Sequence, residues 1–295
     1  MVRVSVRDNN VARAFLFMAS AYAVYSLQDV QAKWLVRTLP VWQVVFFKGI
    51  VISILVIATN GARTVAAVRA SQNKFGLALR GFINFAATLF FFLATRHMGL
   101  ADATTILFVA PVLVVALSML VLREEVSATR WAVVGLGLTG AVIAINPTGQ
   151  IDSLAALFAL SSAFFWALGV VLIRKISASE AIGAQMLTSN VVVAALSSVA
   201  LLWSWSTPDA YSLMLLIGVG ASSGLGQYLL YKALQQAPAS LLAPVEYSSL
   251  VWAFMLGYIV FGDVPASNVY FGAALIVGSS VTLILTERKS KSLVG

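Results

Sequence analysis

Residues 91–145 read FFLATRHMGLADATTILFVAPVLVVALSMLVLREEVSATRWAVVGLGLTGAVIAI, and residues 231–284 read YKALQQAPASLLAPVEYSSLVWAFMLGYIVFGDVPASNVYFGAALIVGSSVTLI. The two stretches align at a constant offset of 138 positions, and the alignment pairs loop residues as well as apolar ones. The matching landmarks are Glu125 and Val126 with Asp263 and Val264, Ala128 with Ala266, Ala101 and Asp102 with Ala239 and Ser240, and Gly140 with Gly278. The pattern predicts an internal repeat.

The composition is that of an integral membrane protein. Of 295 residues, 60% are hydrophobic and 10% are charged, whereas an ordinary soluble domain has about 25% charged residues. The high apolar content also excludes a disordered chain. There is no cysteine and a single histidine, His97. Thiolate sites and sites built from several histidines are therefore excluded, and we expect no metal and no cofactor.

Ten stretches between charged residues are long enough to form membrane-spanning helices, each of which needs roughly 20 apolar residues. Their approximate limits are 13–29, 41–59, 80–96, 102–123, 130–152, 152–174, 180–209, 209–232, 240–262 and 263–287. We number these spans one to ten. The sequence therefore predicts an all-α membrane protein with ten transmembrane helices and short loops.

Lysine and arginine are concentrated in the loops on one side of the predicted membrane, and this asymmetry sets the orientation. With the N-terminus in the cytoplasm, fifteen basic residues lie inside and three lie outside. The inside set is Arg3, Arg7, Arg13, Arg63, Arg69, Lys74, Arg80, Arg123, Arg130, Arg174, Lys175, Lys232, Arg288, Lys289 and Lys291, and the outside set is Lys33, Arg37 and Arg96. We predict a multi-pass protein of a bacterial-type cytoplasmic (inner) membrane with both termini in the cytoplasm. The net charge of +8 then reflects topology and contact with membrane lipid, and no nucleic-acid partner is expected.

Five spans in each copy of the repeat force the second copy to insert upside down. The predicted domains are residues 1–150 and residues 151–295, each a five-helix repeat. Inverted repeats of this kind are typical of secondary transporters, which bind substrate near the bilayer midplane between the two halves.

Both repeat stretches resemble the repeat of EamA-type carriers in the drug/metabolite transporter superfamily. The shared pattern is a small residue after an aromatic helix, a short loop, a proline-containing helix, an acidic turn and a last helix with glycine. The segment 243–265, APVEYSSLVWAFMLGYIVFGDVP, is most similar to the YddG-type amino-acid exporters. The resemblance implies ten helices in two inverted halves, with spans one to four and six to nine around a central cavity and spans five and ten at the periphery.

Two charged residues inside predicted spans are candidates for substrate contacts. Lys48 lies about eight residues into span two, and Glu246 lies about one-third of the way along span nine, after Pro244. A charge at mid-bilayer costs about 2.5–3.5 kcal/mol on insertion scales. Lys48 either binds a substrate carboxylate or reaches the interface and caps a carbonyl. Glu246 either binds a substrate ammonium, accepts a proton or pairs with a lysine, or it is hydrogen-bonded near the cytoplasmic mouth. Its counterpart in the first repeat is Phe108.

Aromatic and polar side chains complete the predicted substrate site. Trp166 and Tyr25 occupy matching positions on spans six and one and either enclose an apolar part of the substrate or pack between helices. Polar residues on spans three and eight either bind a zwitterion or join helices. The predicted substrate-binding residues are Trp166, Glu246, Lys48, Asn84, Phe85, Thr88, Phe108, Tyr25, Gln227, Tyr228 and Tyr231.

Two prolines are predicted hinges. Pro111 lies about nine residues into span four, and Pro244 lies in span nine. Proline removes a backbone hydrogen bond and bends a helix, so the halves of each span could tilt separately; a static kink is the alternative. Charged residues near the outer ends of the spans are expected to be solvated, and they are Asp29, Arg96, His97, Asp102, Asp209 and Asp263.

The predicted function is a secondary transporter that exports amino acids or similar small metabolites by alternating access. A drug or nucleotide-sugar carrier is the alternative within transport, and a non-transporting membrane sensor is another. No enzyme is expected, because Glu246 is the only deep acid and the sequence has no GxxxxGK[ST] nucleotide-binding loop. The expected partners are a small-molecule substrate, for which amino acids are favoured, and membrane lipid. The oligomeric state stays open.

Overall fold

The computed structural model describes residues 8–97, 103, 106–145, 153–177, 179–261, 270–272, 274, 275, 277, 278 and 282. These residues form helices and connections, with no strand among them. The helices are α1 (Asp8–Thr38), α2 (Val41–Ala70), α3 (Lys74–His97), α4 (Ala110–Leu117, followed by a π-helical turn Ser118–Leu122), α5 (Ala128–Ile145), α6 (Ser153–Ile176), α7 (Ile182–Ser204), α8 (Ala210–Gln236), α9 (Ala239–Leu242, followed by a 3₁₀ segment Ala243–Tyr247) and α10 (Ser248–Phe261).

The helices correspond to the predicted spans one to nine, with α9 and α10 together forming span nine. Five segments of the described chain are long and apolar enough to cross a bilayer, namely Val41–Thr59, Lys74–His97, Ser153–Ile176, Ile182–Ser204 and Ala210–Gln236. Most of span ten, including Asp263, lies outside the described residues, as does Asp102 of span four. The all-helical membrane architecture is therefore confirmed, while the count of ten helices stays a prediction.

Helix boundaries follow local chemistry. Pro40 precedes α2, where its fixed φ favours a helix start and its missing N–H leaves no helical bond unmade. Asp209 caps α8, and its carboxylate accepts a hydrogen bond from the Ser212 amide at 2.7 Å. The bonds from Ser212 lower the pKa of the Asp209 carboxyl below its ordinary value. Gly61 kinks α2 with φ 54°, a left-handed conformation that glycine adopts without steric cost. Helix α2 continues across this kink to Ala70, past the predicted end of its span at residue 59.

The surface has the apolar character of a lipid-facing protein. Large hydrophobic side chains lie exposed on several helices, including Trp203 at 80%, and Leu16 and Leu202. A soluble monomer rarely exposes contiguous apolar area on this scale. The exposed apolar residues therefore support insertion in a bilayer.

The packing has the symmetry expected of two related halves. Helix α1 packs along α8 and α3 packs along α6, while α2 packs on α7 at the centre. Helix α2 also contacts α8, and α3 contacts α7. Exchanging spans one, two and three with six, seven and eight converts each of these contacts into another member of the same set. This pattern is consistent with an inverted-repeat fold, and the domain limits 1–150 and 151–295 stay a prediction.

Close approach of α2 to α7 and α8 depends on glycine. A Cβ at Gly49 would lie 2.7 Å from the Asn190 carbonyl oxygen and 2.9 Å from the Ala194 nitrogen, both backbone atoms of α7. On α8, Gly220 lies against Val51 and Gly224 against Ile52. Small residues therefore let the helix backbones approach closely, as is typical of membrane helix pairs.

We expect Gly49→Ala to destabilise the protein by about 1–3 kcal/mol, because the added methyl meets backbone atoms that cannot rotate away. The measurement is thermal unfolding of the purified protein in detergent. Gly135→Ala is the matched control, because a Cβ at Gly135 meets nothing within 4 Å. Equal melting temperatures for the two variants would show that the α2–α7 contact tolerates separation.

Candidate functional site

A central cavity lies between α1, α2, α3, α6, α8 and the irregular parts of spans four and nine. Its empty volume, including the part open to solvent, is about 880 Å³. Small-molecule sites typically combine apolar walls with a few polar groups, and the lining of this cavity has that composition. The cavity is therefore the candidate binding site.

Eight of the eleven predicted substrate-binding residues line this cavity. They are Tyr25, Lys48, Asn84, Thr88, Phe108, Trp166, Gln227 and Glu246. They come from seven different spans, so the fold gathers residues that the sequence separates by up to 221 positions. Their role in binding a substrate stays a prediction.

Three predicted residues do not line the cavity. Phe85 packs against Trp42, with ring centroids 6.1 Å apart, because it lies about 100° around α3 from the cavity-facing Asn84. Tyr228 is 43% exposed on the outside of α8. Tyr231 is fully buried. These three residues therefore lie outside the cavity lining, and contact between them and a substrate stays a prediction.

Sequence reasoning missed two charged residues of the cavity. Arg80 was assigned to a cytoplasmic loop and Asp29 to the solvated outer rim, but both line the cavity. The error came from using charges to mark the ends of spans. Helix α3 begins at Lys74 and α1 continues to Thr38, so both charges lie within helices. Other cavity-lining residues not predicted are Tyr22, Ser26, Gln28, Ala87, Phe91, Phe92, Leu107, Ser162 and Ser249.

The acidic part of the cavity is centred on Glu246. Its side chain is 4% exposed, and among the described residues no lysine or arginine forms an ion pair with it. The Tyr22 hydroxyl and the Trp166 indole N–H both lie close to the carboxylate. Neither group forms a hydrogen bond within the described chain. Glu246 is thus a buried carboxylate whose neighbours leave room for another partner.

Aromatic rings form a wall beside this carboxylate. The rings of Tyr25 and Trp166 meet edge to face with centroids 5.8 Å apart, and Tyr22 and Tyr25 meet similarly at 6.2 Å. Such a wall binds apolar or aromatic parts of a ligand and attracts cations through the ring faces.

The basic part of the cavity contains Lys48 and Arg80. The Lys48 ammonium donates a hydrogen bond to Thr88 Oγ1 at 3.1 Å and is attracted to Asp29 without a direct ion pair. Arg80 is 3% exposed, and its guanidinium lies 5.9 Å from the centroid of the Tyr231 ring. Arg80 Nε has no hydrogen-bond partner in the described chain. Tyr231 therefore packs against Arg80 and does not line the cavity itself.

Buried polar contacts hold the helices around the cavity. Gln227 Oε1 accepts a hydrogen bond from Asn190 Nδ2 at 2.9 Å. The Ser223 hydroxyl donates to Gln28 Oε1, and the Ser162 hydroxyl donates to the Ala87 carbonyl at 2.9 Å. Each of these bonds joins two helices, so polar residues in this part of the protein also serve packing.

Spans four and nine are broken where they meet the cavity. A turn at Phe108 and Val109 precedes α4, so Pro111 lies in the first turn of a helix and not inside a continuous one. In span nine, Pro244 lies in the 3₁₀ segment that carries Glu246. Both breaks follow from proline, which has no N–H for a helical bond. Hinge motion at either position stays a prediction.

The two breaks contact each other directly. The Tyr247 hydroxyl donates a hydrogen bond to the Phe108 carbonyl at 3.2 Å, and the two rings have centroids 5.5 Å apart. The hydroxyl therefore satisfies a carbonyl that a continuous helix would have used, and the repeat-related residues Phe108 and Glu246 both face the cavity.

Loops of the two halves are joined at the end of the molecule where Arg130, Arg174 and Lys232 lie, which we call the basic end. The Glu124 carboxylate accepts bonds from the Ala239 and Ser240 amides, both at 3.1 Å, and from the Ser240 hydroxyl at 2.6 Å. Arg130 Nη1 donates to Ser240 Oγ at 3.0 Å, and Arg174 Nη1 donates to a carbonyl at the end of α8 at 2.6 Å. Glu124 thus holds the start of α9, and with it the break that carries Glu246. We call this set of contacts the basic-end network.

The described residues contain no group of three or more His, Asp or Glu side chains that could hold a metal ion.

The fold, the central cavity and the two broken spans define a helical membrane transporter. The chain belongs to the EamA-like transporter family, whose model matches residues 12–146 and 153–285. The resemblance seen in the sequence is therefore confirmed at the level of the family.

Curated relatives of the chain are transporters by name. It is 27% identical to the S-adenosylmethionine uptake transporter of Rickettsia prowazekii (strain Madrid E), covering 90% of each chain. It is 27% identical to the pseudopaline exporter CntI of Pseudomonas aeruginosa (strain UCBPP-PA14), covering 92% of this chain and 96% of the relative. It is 30% identical to the riboflavin transporter of Vibrio cholerae over 62% of each chain. These names suggest a non-enzymatic protein that moves small molecules, and they give no specific support to the YddG-type amino-acid exporters.

A solved crystal structure superposes with a TM-score of 0.80 at 18% identity, covering 96% of this chain and 99% of the other. This similarity supports the fold alone.

The chain contains no cysteine, so single cysteine variants test the cavity directly. We expect Thr88→Cys to react with a membrane-impermeant maleimide, since Thr88 lines the cavity. Ala163→Cys, on a fully buried part of α6, is expected to react at least about tenfold more slowly. The measurement is labelling of the folded protein in proteoliposomes, followed by mass spectrometry. Equal labelling of the two variants would contradict a water-accessible cavity at Thr88.

Proposed function

We propose that the protein is a secondary carrier of small zwitterionic metabolites that bear an amino-acid group. The observation that carries the proposal is the charge arrangement of the central cavity. A buried carboxylate, Glu246, and two buried cations, Lys48 and Arg80, share one cavity, and no ion pair joins any of them in the described chain.

A zwitterion fits this arrangement because it brings both missing charges. Its ammonium would meet Glu246, and its carboxylate would meet Lys48 or Arg80. A buried charge without a partner is costly, so a ligand that neutralises both ends at once gains more than one that neutralises a single end. The two cations of the cavity are balanced by its two carboxylates, Glu246 and Asp29, so the formal charges of the lining sum to zero. This balance supports a neutral ligand over a polyanion.

The family relatives support the same class in part. S-adenosylmethionine contains an amino-acid group and a sulfonium cation, and the aromatic wall of Tyr22, Tyr25 and Trp166 is suited to an organic cation. The relatives' names include both uptake and export. Export of amino acids from the cytoplasm is the direction and substrate that the sequence favours, and both stay part of the proposal.

The mechanism that we propose is alternating access in the cytoplasmic membrane, with the basic end and both termini in the cytoplasm. In this structure Glu124 joins the loop before α5 to the start of α9. Opening the cavity towards the basic end requires these bonds to break. The breaks at Phe108 and Glu246 allow the two parts of spans four and nine to tilt, and a substrate that contacts Glu246 contacts the moving segment directly.

A second candidate is a flat, neutral aromatic substrate of the drug or vitamin class. The aromatic wall and the relative named for riboflavin favour this candidate. It needs no contact with Glu246, so the charge variants distinguish it from the zwitterion carrier. A nucleotide sugar is less suited, because its diphosphate would add two negative charges to a cavity that already contains Glu246 and Asp29.

We expect saturable flux of one or more zwitterions into proteoliposomes that contain the purified protein, tested with labelled amino acids, S-adenosylmethionine and riboflavin. Glu246→Gln should lower that flux about 10- to 100-fold, since a charged hydrogen bond contributes about 1.5–3 kcal/mol. Glu125→Gln is the matched control, because the same change at an exposed carboxylate leaves the cavity intact.

Two results would contradict the proposal. One is flux of riboflavin alone that is equal in the parent and the Glu246→Gln variant, which would favour the aromatic-substrate carrier. The other is no flux of any compound by protein that melts cooperatively, which would favour a sensor.

A further inference from the structure

A second groove lies on the membrane-facing side between α2, α7 and α8. Its empty volume, including its opening, is about 1,330 Å³, and it shares no lining residue with the central cavity. We call it the α2–α8 groove. Because its walls include side chains exposed at the protein surface, the groove is in contact with the bilayer and is not an internal chamber.

The groove is apolar towards the middle of the bilayer and polar at the basic end. Helices α2 and α8 run in the same direction, and Leu55 and Leu225 lie in their central parts, with Leu225 52% exposed. Tyr228 and Lys232 follow one and two turns further along α8. The groove therefore has the same polarity gradient as a phospholipid in the adjacent leaflet.

Lys232 provides a positive charge at the polar end of the groove. Its ammonium lies 5.6 Å from the centroid of the Tyr228 ring, and within the described chain it forms no ion pair with a carboxylate. The Tyr228 ring holds the lysine over the mouth of the groove, although a lysine at this depth can otherwise extend freely into water. A cation held in place beside an apolar groove is complementary to an anionic lipid head.

We propose that the α2–α8 groove binds one anionic phospholipid of the leaflet at the basic end. One acyl chain lies along Leu55 and Leu225, and the phosphate of the head group lies at Lys232. Basic pockets between transmembrane helices on the cytoplasmic side bind anionic head groups by this chemistry. A groove at the depth of the hydrocarbon must be filled by acyl chains or by another helix, and the polar end favours the lipid.

The test is native mass spectrometry of the full-length protein in detergent with phosphatidylglycerol or phosphatidylcholine of identical acyl chains. We expect the parent to retain one phosphatidylglycerol in preference to phosphatidylcholine. Lys232→Gln should reduce phosphatidylglycerol affinity about five-fold, the effect of one basic residue at a membrane surface, and leave phosphatidylcholine affinity unchanged.

Two further variants serve as controls. Lys175→Gln, the same change at an exposed lysine of the basic end, should have no effect. Leu225→Trp, which fills the groove, should reduce retention of both lipids.

The proposal is overturned if the parent retains the two lipids equally, or if Lys232→Gln and Lys175→Gln have the same effect. It is also overturned if Leu225→Trp converts a dimer to monomers while lipid retention is unchanged, because the groove would then be an interface between copies. The readout is lipid binding and requires no transport. Failure of the carrier proposal and failure of the lipid proposal are therefore separate results.

Discussion

A helix inside a bilayer must satisfy its own backbone hydrogen bonds, because hydrocarbon offers none. Proline prevents this at Pro111 and Pro244, and broken backbone at membrane depth is tolerated only where it is buried in protein or lines a cavity. The location of the cavity follows from this constraint. Spans four and nine break beside it, the Tyr247 hydroxyl satisfies the free carbonyl of Phe108, and the break in span nine places Glu246 in the cavity wall.

The same constraint links the site to a conformational change. The segment that carries Glu246 is held at one end by Glu124, through the amides of Ala239 and Ser240, and is continuous with α10 at the other. In the proposed mechanism, a substrate bound to Glu246 and to a cation on α2 or α3 joins a broken span to an intact one. Movement of span nine therefore changes both the exposure of the cavity and the distance between its charges. Transport and binding would depend on the same few contacts.

The sequence predicts the fold better than the site. Hydropathy, the offset of 138 between the repeat stretches and the prolines are properties of long segments, and they predict the helical architecture and the family. The residues Lys48 and Glu246 were predictable because a charge inside an apolar run is costly. Arg80 and Asp29 were missed because each charge was read as the end of a span, although α3 and α1 extend well beyond them. Phe85, Tyr228 and Tyr231 lie outside the cavity lining, since proximity in sequence to a cavity residue does not fix the face of the helix.

The most direct test of the central claim is a binding titration of the purified protein with three ligands that carry the same side chain. These are the best zwitterion from the flux panel, its analogue without the carboxyl group and its analogue without the amino group. The account predicts that each analogue binds at least about tenfold more weakly than the zwitterion, because a charged hydrogen bond is lost at one end. Glu246→Gln should reduce discrimination against the analogue without the amino group, and Lys48→Gln against the analogue without the carboxyl group. Equal affinity for all three ligands would contradict recognition of a zwitterion by the paired charges of this cavity.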